Sequence, residues 1–199
     1  MYNHRSIFLE NHTNKITDKN VLELSAGGGQ VSVNIAHLNP KRYIISDNDP
    51  RMLKRNPLFE KNEHLILDIL NLPNLLDYKL DTIICCGYLY HTAHPLWALE
   101  QILKNKPTWF YLETKFTPDA TCQIYEEKIG ERGSHTSYEG CIPKNLILPK
   151  KIIIEAVESL NYKLIDVIQN DIKPDDFYEE DNYLSFWKKT TGLWFQKND

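Results

Sequence analysis

Short apolar runs alternate with segments of helical spacing up to about residue 114 of this chain. "NVLELS" (20–25) predicts a strand, and "QVSVNIAHL" (30–38) the helix that follows it. "RYIIS" (42–46) predicts a second strand and "DPRMLKR" (49–55) a short helix, with Pro50 suited to its first turn. "HLILD" (64–68) and "LDTIICCG" (80–87) read as strands three and four. Pro95 then opens an amphipathic helix with Leu96, Leu99, Ile102 and Leu103 on one face, and "TWFYLET" (108–114) reads as strand five. Strands rich in Val, Ile and Leu, separated by helices, imply a parallel sheet covered on both sides.

The rhythm breaks over residues 115–147, a polar segment that is long for a plain connection and reads as a cover over a binding site. It resumes with a helix at "PKKIIIEAVESL" (149–160), whose Ile153, Val157 and Leu160 share a face, and a strand at "YKLIDVIQ" (162–169). The end, "NYLSFWKKTTGLWFQ", predicts one or two strands around a Thr-Thr-Gly turn. A late strand returning without a crossover helix must run antiparallel.

Composition narrows the class. At 199 residues the chain is read as one domain, 1–199, with an N-terminal segment at 1–19. A net charge of −4 weighs against a broad nucleic-acid footprint. No signal-like or membrane-spanning run is present, since "TIICCGYLY" is too short to cross a bilayer. Four cysteines without a CxxC pair read as free thiols in a reducing, cytoplasmic setting; Cys85 and Cys86, adjacent on one strand, should face opposite sides of the sheet.

Candidate chemistry gathers where strands end. "VLELSAGGGQ" (21–30) strips the side chains from a strand-to-helix corner, which exposes backbone N–H groups at a positive helix end suited to a phosphate or carboxylate. A bland tight turn is the alternative. The dinucleotide pattern GxGxxG is met at Gly27 and Gly29 but carries Ser32 at its third position, and no Gly-Lys-Ser/Thr of a P-loop follows. Glu23 places a charge inside the first strand, Asp47 closes the second and Asp68 the third. Single acids after strands are often helix caps; three in succession behind a glycine corner point to one ligand-binding edge. Asp47 is placed to accept from the two hydroxyls of a ribose, and Asp68 from an adenine amino group while the Ile69 N–H serves a ring nitrogen.

"VLELSAGGGQ", "YIISDNDPRML", "LILDILNLP" and "LDTIICCGYLYHTAHPLWALEQIL" together resemble the four consecutive motifs of class I S-adenosylmethionine-dependent methyltransferases. The resemblance implies an α/β, three-layer Rossmann-like fold with a mostly parallel seven-stranded sheet and an antiparallel last strand. It implies S-adenosylmethionine as cofactor, held by Glu23, Ser25, Gly27, Gly29, Asp47, Asn48, Asp68, Ile69 and Cys86. Ser25 stands where that family has its first glycine, a departure that adds a hydroxyl near the methionine moiety. "GYLYHTAHPLWALEQI" also resembles the matching stretch of the tRNA wobble-uridine carboxymethyltransferases, which use a carboxylated form of the cofactor and carry additional N-terminal sequence.

"GYLYHTAHP" (87–95) should face both cofactor and acceptor. His91 is the candidate general base, and Tyr90 (with Tyr88) a candidate for orienting the acceptor, against the alternative that both simply pack at the helix entry. His91 and His94 lack a third partner for a metal, so none is expected. Glu113, Lys115, His135, Tyr138 and Lys144 are possible acceptor contacts, each more simply a solvated side chain. Tyr2 and Arg5 are candidates for the cofactor carboxylate. Trp187, Trp194 and Phe195 read as strand packing. With no basic surface interleaved with aromatics, a small-molecule acceptor is preferred over RNA, and no membrane partner is expected. A cofactor-binding partner subunit without catalysis and a nicotinamide dehydrogenase stand as rival readings.

Overall fold

A computed structural model of the chain describes residues 9, 11–117, 121–126, 144–169 and 190–199. Nine strands and four α-helices are assigned among them. The strands are β1 (Asn20–Leu24), β2 (Arg42–Asp47), β3 (Glu63–Ile66), β4 (Thr82–Cys86), β5 (Trp109–Lys115), β6 (Gln123–Glu126), β7 (Lys144–Ile147), β8 (Tyr162–Gln169) and β9 (Thr190–Lys197). The helices are α1 (Ser32–His37), α2 (Pro50–Arg55), α3 (Pro95–Leu103) and α4 (Lys150–Ser159).

Seven strands form one sheet in the order β3-β2-β1-β4-β5-β9-β8. Pairings among β1 to β5 are parallel, while β9 runs antiparallel to both of its neighbours. Reversal of the strand order beside β1 puts a crevice at the carboxyl ends of β1 and β4, the place where open α/β sheets bind ligands.

Side-chain alternation divides the core into two layers. Leu22, Leu24, Ile83, Cys85, Phe110 and Leu112 point to one face and pack with residues of α3 and α4. Val21, Ile45, Ile84, Cys86, Tyr111 and Trp194 point to the other and pack with Val31, Ile35 and Leu53 around α1 and α2. The adjacent thiols therefore do face opposite sides. Burial, reinforced by the nearby Glu113 and Glu23 carboxylates, pushes the Cys85 thiol up to about 12 and leaves it unreactive.

Three local expectations need correction. Leu96 is 41% exposed, because the buried stripe of α3 is phased on Pro95, Ala98, Leu99, Ile102 and Leu103 and leaves Leu96 beside it. The Thr-Thr-Gly turn does not form, since β9 runs unbroken from Thr190 to Lys197. Gly192 marks a close approach instead: a Cβ there would lie 2.4 Å from the Tyr111 hydroxyl. The polar segment also carries structure, for β6 and β7 pair as a separate antiparallel ribbon. Leu146 N–H donates to the Thr92 carbonyl at 3.0 Å and docks this ribbon behind β4. His135, Tyr138, Tyr2, Arg5 and Trp187 lie outside the described residues.

The segment before β1 is clipped to the far side of the sheet. His12 Nε2 lies 2.6 Å from Asp166 Oδ2 on β8, and Lys15 Nζ donates to His12 Nδ1. The Lys15 ammonium also sits 5.1 Å from the Trp109 ring centroid and 5.2 Å from that of Trp194. Burial draws its pKa down, opposed by the charge of Asp166. Among the described residues no helix is long and apolar enough to cross a membrane.

Candidate active site

Backbone conformation explains the glycine corner. Behind β1, Ser25 (φ +57°), Gly27 (φ +54°) and Gly29 (φ +86°) all take left-handed angles. Ser25 thus keeps the conformation that a glycine would supply, at the expense that any Cβ incurs there. The corner is tied to the next strand: Ala26 N–H donates to the Ser46 carbonyl at 2.9 Å, and Ser46 Oγ to the Glu23 carbonyl at 2.8 Å.

Asp47 holds the two strand tips together. Its Oδ2 accepts from Gly27 N–H at 2.8 Å and its Oδ1 from Asp49 N–H at 2.9 Å. An ionised carboxylate offers about four acceptor sites, so two protein bonds leave capacity for ligand hydroxyls. The Asp47 carbonyl accepts from Leu67 N–H at 3.1 Å, which brings the end of β3 alongside. There Asp68 caps a 3₁₀ turn, Ile69–Asn71, accepting from Leu70 N–H at 3.0 Å and from the Asn71 side chain at 2.8 Å. The helix-cap alternative thus describes Asp68 in this structure, and Ile69 is buried beside it. Asn48 is exposed and, with Asp49, Pro50 and Arg51, lines an open depression of about 310 Å³ next to Asp47.

Glu23 is buried, and its charge is met by side chains. Ser32 Oγ donates to Glu23 Oε2 at 2.6 Å, and the Tyr43 hydroxyl donates to the same oxygen. Burial and then the Glu23 charge push the Tyr43 phenol well above its usual range, so it stays a donor. Asn56, at the end of α2, donates from Nδ2 to Ser32 Oγ at 2.8 Å. Neither Ser32 nor Asn56 was singled out by sequence as a site residue. Ser32 had counted only as a fault in a glycine pattern, and Asn56 sits in an unremarkable "RNP" helix stop.

On the other side of the crevice Gly87 (φ +77°) follows Cys86, and its N–H donates to the Glu113 carbonyl at 2.9 Å. Glu113 is fully buried, not solvated, and its carboxylate shares the sheet face of Glu23 and Cys86. The chain then makes a 3₁₀ turn, Leu89–His91. Tyr90 is buried, His91 is half-buried, and their rings lie 4.4 Å apart at 51°. Lys115 Nζ stands 5.1 Å over the Tyr90 ring. His94 is exposed at the entry to α3, and among the described residues no three His, Cys, Asp or Glu side chains converge as a metal site.

Sequence-predicted residues therefore line the carboxyl ends of β1 to β4, one group after β1 to β3 and one after β4. Solved structures share this fold. The crystal structure titled as a putative S-adenosylmethionine-dependent methyltransferase from Listeria monocytogenes superposes with a TM-score of 0.67 at 13% identity, covering 98% of this chain and 99% of that one. This chain has the class I S-adenosylmethionine-dependent methyltransferase fold. A second methyltransferase of this fold, the 1,6-didemethyltoxoflavin-N1-methyltransferase of Burkholderia thailandensis with bound 1,6-didemethyltoxoflavin and S-adenosylhomocysteine, gives a TM-score of 0.65 at 14% identity, covering 98% of this chain and 77% of that one. No family model matches the methyltransferase-fold sequence described here. Among curated proteins, a tRNA U34 carboxymethyltransferase of Campylobacter fetus is 26% identical over 180 residues, which is 83% of this chain but only 57% of the relative. The chain thus spans little more than half the length of that relative.

Proposed function

We propose that the chain is an S-adenosylmethionine-dependent methyltransferase acting on a small-molecule acceptor. One observation carries the reading: Asp47 bonds the Gly27 amide with one carboxylate oxygen and lies beside the tip of β3, so the glycine corner, Asp47 and Asp68 form one continuous edge. Asp47 would take the ribose hydroxyls, the Asp68–Ile69 turn the adenine, and the corner after Ser25 the amino-acid end. Ser25 and Glu23 border that end; Asn48 follows Asp47 on the ribose side, and Cys86 closes β4 across the edge.

The donor's sulfonium supplies an activated methyl group and leaves as a neutral thioether. What remains for the protein is alignment, which contributes about 7–11 kcal/mol in favourable cases. Tyr90 and Lys115 form the wall against which an acceptor would lie, and His91 is the group that takes its proton. A net charge of −4 favours a small acceptor over a polyanion.

A second reading, transfer of a carboxymethyl group to a tRNA wobble uridine, is favoured by the Campylobacter fetus relative. Two measurements test these readings. Calorimetric titration with S-adenosylhomocysteine should show saturable binding, and its absence overturns the proposal. Incubation with labelled donor, cell extract and bulk tRNA should place label in the low-molecular-weight fraction. Label in tRNA, with a salt-dependent gel shift, selects the second reading instead.

A further inference from the structure

Asn56 lies away from the edge where ligand would sit, yet its side-chain nitrogen begins a chain of hydrogen bonds that leads back to that edge. It is 3% exposed. Its Nδ2 donates to Ser32 Oγ at 2.8 Å, Ser32 Oγ donates to Glu23 Oε2 at 2.6 Å, and its Oδ1 accepts from Leu58 N–H at 3.0 Å. The carboxamide is also the floor of the glycine corner. A Cβ on Gly29 would stand 2.5 Å from Asn56 Oδ1 and 2.8 Å from Nδ2, so the flat amide fills the space that the missing side chain leaves. Three elements that are distant in sequence, β1, α1 and the end of α2, are thereby locked in one register beneath Gly27–Gly29.

We propose that Asn56 is a positioning residue for donor binding: through Ser32 and Glu23, and by packing under Gly29, it fixes the corner in the shape that receives the donor's amino-acid end. This rests on the methyltransferase reading above. The direction of the hydrogen bonds matters. Ser32 has a single proton, which goes to Glu23, so its oxygen is left to accept, and the amide nitrogen of Asn56 donates to it at 2.8 Å. With Glu at 23 taking the Ser32 proton, an amide at 56 complements that oxygen and an ionised carboxylate would not.

That polarity gives a test which a general packing role would not pass. Asn56→Asp keeps the shape but replaces the donor by an acceptor, so Ser32 would face two carboxylates. Such a pair cannot comfortably hold two charges, and one member takes a proton as pH falls. The protonated Asp variant is again a donor, and the chain to Glu23 is restored. Titratable groups on this face are Glu23 from β1, Tyr43 from β2, Cys86 from β4 and Glu113 from β5; the variant is therefore compared with the unaltered chain at each pH.

The experiment is titration of the full chain with S-adenosylhomocysteine at pH 8 and pH 5.5, with circular dichroism on the same samples. The expected result is affinity about 10-fold weaker for Asn56→Asp at pH 8, narrowing to about 3-fold or less at pH 5.5. Wild-type affinity at pH 8, or a folded variant whose affinity does not recover on acidification, overturns the inference while leaving the methyltransferase reading intact. Should Asn56→Asp fail to fold at pH 8, Ser32→Ala carries the test: it cuts the chain without adding charge, with about 5-fold weaker binding expected at both pH values. Unchanged affinity for that variant overturns the inference. An unaltered chain that binds no S-adenosylhomocysteine overturns the reading beneath it and this inference together.

Discussion

The two walls of the crevice are built on different principles. On the β1–β2 side, Asp47 accepts from the Gly27 and Asp49 amides, Glu23 accepts from Ser32 and Tyr43, and Asn56 closes the chain behind them. Short hydrogen bonds between neighbouring elements fix those groups before any ligand arrives. On the β4–β5 side the contacts include rings: His91 lies 4.4 Å from the Tyr90 ring, and Lys115 Nζ stands 5.1 Å over it. A donor common to a whole fold suits a rigid wall. The proposed acceptor would fall to the aromatic wall.

If that contrast is right, damage on the first wall should be large and structural, and on the second small for donor binding. The greatest effect is expected for Gly29→Ala, which combines a left-handed backbone with a collision against Asn56; it should lose about 2–4 kcal/mol of stability in urea unfolding. Gly28→Ala is its internal control. The nearest atom to a Cβ there is Met52 Cε at 4.0 Å, so a change within about 0.5 kcal/mol is expected. Equal losses at both positions would undo the account of the corner. Next, Asp47→Ala should weaken S-adenosylhomocysteine binding by about 10- to 100-fold, a calorimetric result that would dissolve the first wall if affinity stayed constant.

Smaller effects sharpen the picture. Ser25→Gly removes a left-handed Cβ but frees the unfolded chain, leaving a net stabilisation of about 0.5 kcal/mol by thermal or urea melts. A destabilised Ser25→Gly chain would mean that the serine side chain outweighs its backbone strain. Least of all, His91→Ala should leave S-adenosylhomocysteine affinity within about twofold. A larger loss would move His91 to the donor-binding wall.

Legibility in the sequence followed how local the cause was. Parallel central strands buried on both faces announce themselves as Val, Ile and Leu runs, as β1 and β4 do, and even the antiparallel edge strand β8 begins and ends where the pattern places it, at Tyr162 and Gln169. The glycine corner and the acids at strand ends were visible for the same reason, since each is a short motif. What escaped depends on partners far along the chain. Ser32 is intelligible only once Glu23 is beside it, and Asn56 only once Gly29 presses on its amide. Gly192 looked like a turn because the Tyr111 ring it accommodates sits on another strand. The ribbon of β6 and β7 hid in a polar segment because two edge strands of four residues need no apolar alternation.

The tether formed by His12, Lys15 and Asp166 sets a boundary for anyone trimming this protein. Leu9 is wholly enclosed, its carbonyl accepts from His12 N–H at 3.0 Å, and the lysine at 15 shields two tryptophans. Deleting residues up to 15 would bare the indoles of Trp109 and Trp194 and strand the Asp166 carboxylate, so shortened versions for crystallisation should retain Leu9 onward.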